Sequence, residues 1–196
     1  MKENISANNE HINKGLQPLV QTGVCDGIEK PYHITWVTHN SRTSQRMIEY
    51  KVKKGEPILL SEQQEIEITS YILQIIKEDN LKIFAYNICK DHIHILLLCE
   101  ENKRDNIVRK LKGKSTQFYK KNNNIQDKFS LWAQKYNCSY LEDNEEKLLN
   151  TIAYINNNRE KHRLTINNGL QPIVQEMTIS FKEYLKITNE KLEKTQ

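Results

Sequence analysis

Lys82-Ile83-Phe84-Ala85-Tyr86-Asn87-Ile88-Cys89-Lys90-Asp91-His92-Ile93-His94-Ile95-Leu96-Leu97-Leu98-Cys99 decides the fold. Lys82–Cys89 and His92–Cys99 read as two strands, and Lys90-Asp91 between them reads as a tight hairpin. In a strand, residues two apart share a face. His92 and His94 therefore present two imidazoles together, and Ile93 and Ile95 point the other way. Two neutral imidazoles at that spacing suit one divalent metal. An incidental or structural pair would have the same spacing. His11, His33, His39 and His162 have no comparable partner at i+2 or i+4 and are expected to be structural or exposed.

Upstream of the hairpin, Tyr32–Thr38 is rich in β-branched and aromatic residues and reads as a first strand. Ser61 with Gln64 forms a capping box, and Ile68, Ile72 and Ile75 follow at helical spacing, so a helix is expected to about Asn80. Downstream, Asn106–Lys121 reads as a second helix with Ile107, Leu111 and Phe118 toward the core. Gly113 weakens it by roughly 1 kcal/mol relative to Ala. Leu131–Leu141 reads as a fourth strand. Asp143 or Asn144 then caps a third helix through about Lys161. The order β-α-β-β-α-β-α implies an α+β protein, with a ferredoxin-like (split βαβ) antiparallel sheet, helices on one face and an additional C-terminal helix that bears Tyr154.

Composition bounds the partners. The chain has 196 residues, 37% hydrophobic and 28% charged, with a mean hydropathy of -0.74. That suits one wet, soluble domain and excludes collagen, coiled coil, disulfide scaffold and membrane protein. No apolar segment follows the basic start, so no secretory signal is expected. Cys25, Cys89, Cys99 and Cys138 form no CxxC pair and read as reduced thiols in a cytoplasm. Net charge is only +4, yet Lys103–Lys121 holds eight cations against the single acid Asp105. Arg109, Lys110, Lys112 and Lys114 are candidate phosphate contacts within that stripe. A solvated helix face would carry the same charges. Residues 1–30 read as a flexible arm, 31–185 as the domain and 186–196 as a charged tail. Asn13–Gln21 recurs as Asn167–Gln175 with seven of nine positions identical. Two similar extended segments docking on the domain would explain this, as would copying from one repeated DNA element.

The third helix supplies what the histidines lack. Leu148, Ile152 and Ile155 form its apolar stripe, and Tyr154 and Asn158 project together from another side one turn apart. An amide oxygen is a hard ligand suited to Mg²⁺ or Mn²⁺. A sheet-packing aromatic and a helix C-terminal residue are the plainer readings of the two.

His92-Ile93-His94 after a hairpin resembles the HUH motif (His, hydrophobic, His) of single-strand endonucleases, and Tyr154–Asn158 resembles the catalytic helix of single-tyrosine transposases. The nearest likeness is to the REP-associated tyrosine transposases, related to the insertion sequence 200/605 type. Val108–Gly113 resembles that family's basic helix and Leu131–Tyr136 its fourth strand. The likeness spans about Pro31 to Leu185. It implies metal-dependent cleavage and strand transfer of single-stranded DNA with hairpin or repeat ends, through a 5′-phosphotyrosine on Tyr154. It also implies Mg²⁺ or Mn²⁺ on His92, His94 and Asn158, with a homodimer in some relatives and no membrane partner. Two positions depart from the pattern: Lys90 and Arg159 stand where many members carry Pro. Tyr136 and Tyr140 are rival nucleophiles if a strand carries them on the ligand side, and Asp91 is either a hairpin residue or a partner of a histidine. Other readings are a nucleic-acid-binding module without catalysis, including an inactive relative of the transposases, a nickase of the same superfamily, and an unrelated metal-dependent hydrolase.

Overall fold

The computed structural model describes residues 27–43, 45–141 and 144–186. Strands β1 (Glu29–Val37), β2 (Lys82–Cys89), β3 (His92–Glu100) and β4 (Asn137–Tyr140) form one sheet in the order β2-β3-β1-β4, with every neighbour antiparallel. Helices α2 (Glu62–Glu78) and α3 (Glu101–Asn122) connect them in the expected order β-α-β-β-α-β. A one-turn helix, α1 (Gln45–Glu49), sits in the loop after β1. Among the described residues no helix is long and apolar enough to cross a membrane.

Alternation along the strands makes two cores. Ile34, Trp36, Ile93, Ile95 and Leu97 face α2 and α3, where Ile68, Ile72, Val108 and Leu111 meet them. Leu96 and Leu98 face the opposite way and pack with Leu141, Leu148 and Ile155 beneath α4 (Glu145–Asn156). So α2 and α3 share one face, and the tyrosine-bearing helix covers the other.

The helix ends have local causes. Ser61 and Gln64 form the expected capping box, each side chain accepting the other residue's backbone N–H. Asn80 ends α2 in the left-handed region at φ 50, and Leu81 N–H bonds back to Ile76 C=O. Asn144 caps α4 through its side chain, which accepts from Lys147 N–H. Helix α3 starts five residues before the predicted Asn106 and runs through Gly113, which faces open space.

The fourth strand is shorter than the Leu131–Leu141 reading. The segment Leu131–Tyr136 meets β1 and the residues just past it through the Thr38–Trp132 bridge, the His39 N–H to Leu131 C=O bond, the Ala133 N–H to Val37 C=O bond and the Trp36–Trp132 ring contact. The Lys112 ammonium donates to the carbonyls of Ala133, Gln134 and Lys135, so these groups are satisfied without a strand partner. Glu29 and Lys30 belong to β1, which removes them from the arm predicted over 1–30; residues 1–26 and 187–196 lie outside the described residues.

Beyond α4 the chain wraps the open edge of β2. Helix α5 (Asn158–Lys161) leads to α6 (Leu170–Met177), which packs on α2, and Ile179 N–H then bonds Ile83 C=O on β2. Arg159 fastens the wrap. Its guanidinium donates to Glu65 Oε2 on α2 (2.6 Å), to Ile88 C=O on β2 (2.9 Å) and to Thr165 C=O (3.0 Å). Glu65 is 1% exposed, and burial pushes its carboxyl pKa up while Arg159 and Asn167 pull it back. The second copy of the nine-residue repeat is therefore not extended. It is mostly α6, with Asn167 bonded to Glu62 C=O and Glu65.

Removing one partner of a buried ion pair strands the other charge, at about 3–5 kcal/mol. Arg159→Met should lower the urea unfolding free energy by about that much. A loss below roughly 1 kcal/mol would show that Arg159 does not fasten the wrap.

Candidate active site

The α4 face of β3 carries His92 and His94, both buried. Register places Thr35 and Asn87 opposite His94, and Val37 and Cys89 opposite His92. His92 is held at both ring nitrogens. Nδ1 meets Asp91 Oδ1 at 2.6 Å, and Asp91 Oδ2 meets Arg42 at 3.0 Å. Nε2 faces Asn158 Oδ1 at 3.0 Å. The hydrogen bond from His92 holds the Asp91 carboxyl below the usual carboxylate range. Burial opposes a charge on His92, but its bonds with Asp91, Cys89 and Asn158 overcome it and push the ring pKa up to about 10.

His94 is the opposite case. Burial, reinforced by the charges of His92, His33, His162 and Lys161, drives its pKa down to about 3, so the ring is neutral. Its Nδ1 lies 3.0 Å from His33 Nε2 and 2.9 Å from Thr35 Oγ1. A proton held on Nδ1 by these partners leaves the Nε2 lone pair available to a ligand. The His92 and His94 rings are 5.1 Å apart and nearly perpendicular.

Helix α4 brings the remaining groups over this face. Asn87 Nδ2 donates to Ile155 C=O at 2.8 Å and to Asn156 C=O, tying the last turn of α4 to β2. The helix breaks at Asn157, and Asn158 sinks to 0% exposure, where its Oδ1 also accepts from Cys89 Sγ. Tyr154 stays 40% exposed, with its ring 5.6 Å from His94, edge-on, and 5.9 Å from His33. Lys161 lies 4.6 Å from the Tyr154 ring centre. All four predicted groups thus meet within one chain, on one face of the sheet. A cleft of about 550 Å³ lies beside Tyr154 and His33 along the first turns of α4.

The donor set fits a hard divalent cation. When His92 is neutral with its proton toward Asp91, Nε2 and Asn158 Oδ1 both direct lone pairs at each other across 3.0 Å. A cation bound beside both atoms would take these lone pairs; with no ion, the protonated ring donates Nε2–H to Asn158 Oδ1 instead. Asn158 Nδ2 is buried without a partner, so the amide is oriented by its oxygen alone. No group of three His, Cys, Asp or Glu able to hold a metal occurs among the described residues; the third ligand here is an amide.

The rival tyrosines lie across the sheet. Tyr140 pairs with Tyr32, whose side chain belongs to the α2–α3 core. The Tyr136 hydroxyl donates to Asp105 on α3. The basic stripe is on that far face too. Lys110 pairs with Asp79 at 2.5 Å, Lys114 with Glu78 at 3.6 Å, Lys112 holds the 133–135 segment, and Arg109 contacts Asn106. Arg109 and Lys112 border a second cleft of about 600 Å³ with Phe129, Trp132 and Tyr136. Sequence reasoning missed His33 and His162, whose ring lies 4.8 Å from that of His92. Only the register of β1 on β3 and the turn after α5 bring them here, and no local spacing carries that information.

The family described as IS200-like transposase matches residues 29–158, more than half of the chain. Among solved structures, a REP-associated tyrosine transposase bound to a REP hairpin is similar at 15% identity and a TM-score of 0.47, covering 82% of this chain and 76% of that one. A Deinococcus radiodurans R1 protein assigned to the transposases is similar at 18% identity and a TM-score of 0.40, covering 70% and 96%. No curated protein matches the chain.

A ligand at about 100 times its dissociation constant stabilises a fold by about 2.7 kcal/mol. Saturating Mn²⁺ should therefore raise the melting temperature of the protein by roughly 5–10 °C. The rise should vanish in Asn158→Ala and in His94→Ala. An equal rise in all three would place the ion elsewhere.

Proposed function

Because the chain belongs to the IS200-like transposases, we propose that it cuts and rejoins single-stranded DNA through Tyr154, using a divalent cation held by His92, His94 and Asn158. The observation that carries this reading is the convergence on one sheet face: the Tyr154 ring 5.6 Å from His94, and His92 Nε2 3.0 Å from Asn158 Oδ1.

The bound ion supplies Lewis-acid stabilisation and orientation of the scissile phosphate. The protein supplies the rest. Asp91, itself anchored by Arg42, keeps a proton on His92 Nδ1 and turns Nε2 inward. His33 and Thr35 do the same for His94. Asn87 fixes the end of α4, which holds Tyr154 above the rings. Half exposed beside an open cleft, Tyr154 is within reach of a phosphodiester.

Its hydroxyl oxygen attacks phosphorus, and the phenol proton is released. The bond to the 3′ oxygen breaks, that oxygen takes up a proton, and the 5′ phosphate remains on the tyrosine. One phosphodiester replaces another, so attack by a 3′-OH on the phosphotyrosine reverses the step on the same or a new end without ATP. Rejoining to a new end is strand transfer, the chemistry of transposition. The substrate we infer is single-stranded DNA with hairpin or repeat ends, with Arg109, Lys110, Lys112 and Lys114 as phosphate contacts. Lys110 and Lys114 would exchange Asp79 and Glu78 for phosphate, because each is already paired.

With Mn²⁺ and single-stranded DNA carrying the element's own end, the protein should form an adduct that survives denaturing electrophoresis. Tyr154→Phe should abolish it with DNA affinity changed less than about threefold, since one hydroxyl is lost from a half-exposed ring. An undiminished adduct in Tyr154→Phe would assign the nucleophile to another residue.

A further inference from the structure

The repeated nine residues are unexplained by the DNA chemistry, and the seat of the second copy shows what each position does. Asn167 is buried; its Nδ2 donates to Glu62 C=O and Glu65 Oε2, and its Oδ1 accepts from Gly169 N–H. Gly169 passes so close to α2 that a Cβ there would lie 2.5 Å from Ile66 Cδ1. Leu170 is buried, and Ile173 and Val174 pack against the same core. The two copies differ at only two positions. One is Asn168, which is exposed and corresponds to Lys14. The other is Ile173, half-buried, which corresponds to Leu19. Within the nine residues, each position described above as contacting α2 or its core is present in the first copy as the same residue or a close apolar substitute: Asn13, Gly15, Leu16, Leu19 and Val20; just past the repeat, Glu176, which pairs with Lys77, and the buried Met177 have Thr22 and Gly23 at the corresponding positions.

The first copy also has the reach. Glu29 opens β1 two strands from β2, and its carboxylate pairs with Lys82 at 2.6 Å. Thr178, just beyond α6, bridges to Ile83, the next residue of β2. The start of β1 and the exit of the seat are therefore about three strand spacings apart, or about 15 Å. Thr178 corresponds to Val24, and five steps of chain from Val24 to Glu29 span up to about 17 Å.

We propose that Asn13–Gln21 is a second occupant of the α2 seat in its own chain, one that enters when Asn167–Gln175 leaves. The seat recognises an Asn-x-Gly-Leu-x-x-apolar-Val segment through the Glu62 and Glu65 acceptors, the close glycine and the apolar stripe. Two competing occupants of one seat make the C-terminal wrap exchangeable without exposing the α2 core.

The test uses the full chain with a benzophenone amino acid at Ser70, one helical turn beyond Ile66 on α2. Irradiation of the parent should link Ser70 to peptides spanning 167–177. In Leu170→Glu the link should move to peptides containing Asn13–Gln21. In Leu16→Glu with Leu170→Glu it should be lost from both. Mixing light and heavy-nitrogen chains should give links within one chain only. Links between chains, or Leu170→Glu protein that never links to Asn13–Gln21, would overturn the proposal. Because Leu170→Glu risks misfolding, Leu170→Ala gives a second reading. Leu16→Glu should leave the melting temperature unchanged in the parent and lower it by about 3 °C in Leu170→Ala; equal shifts in both backgrounds would also overturn it.

Discussion

One contact organises the chemistry of this protein: the 3.0 Å approach of His92 Nε2 to Asn158 Oδ1. It joins a central strand to a break between two helices 66 residues later in the chain. Both residues are buried; the protonated ring donates Nε2–H to the amide oxygen, and a neutral ring with its proton toward Asp91 would offer a lone pair beside that of Asn158 Oδ1. A buried contact of this kind keeps one geometry only where surrounding bonds over-determine it. Here they do: Asp91 and Arg42 orient the ring, Cys89 donates to the amide oxygen, and Asn87 ties down the helix end.

The helix break is held from behind by Arg159. In many relatives of the kind this chain resembles, a proline follows the asparagine and stiffens the turn covalently through its fixed φ. Here the next residue is an arginine that reaches around the β2 edge to Glu65, Ile88 and Thr165. The departure substitutes a buried ion pair for a ring. Asn158 is thus joined through its neighbour Arg159 to α2, the helix on which α6 also packs.

Much of this was legible in the sequence because it rests on short-range periods. Alternation along His92–Ile95 set the two histidines on one face and the two isoleucines on the other, and the capping signals at Ser61 and at Asp143 or Asn144 located α2 and α4. The pairing of Tyr154 with Asn158 followed from helical spacing even though the helix breaks between them. What failed depended on distant partners. Leu131–Trp132 has strand composition, but Lys112 satisfies the carbonyls that follow, so the ladder begins only at Asn137. His33 looked isolated until strand register set it beside His94. The basic stripe was visible, but two of its lysines neutralise Asp79 and Glu78 across α2, which a charge count along the chain does not reveal.

The central claim is that one ion is shared by two imidazoles of β3 and the amide of α5. Electron spin resonance of Mn²⁺ bound to the full chain, read through its coupling to ligand nitrogens, tests it most directly. The account predicts coupling to two histidine nitrogens, reduced to one in His92→Gln and in His94→Gln and unchanged in His162→Gln. A spectrum with no histidine coupling, or one altered only by His162→Gln, would contradict it.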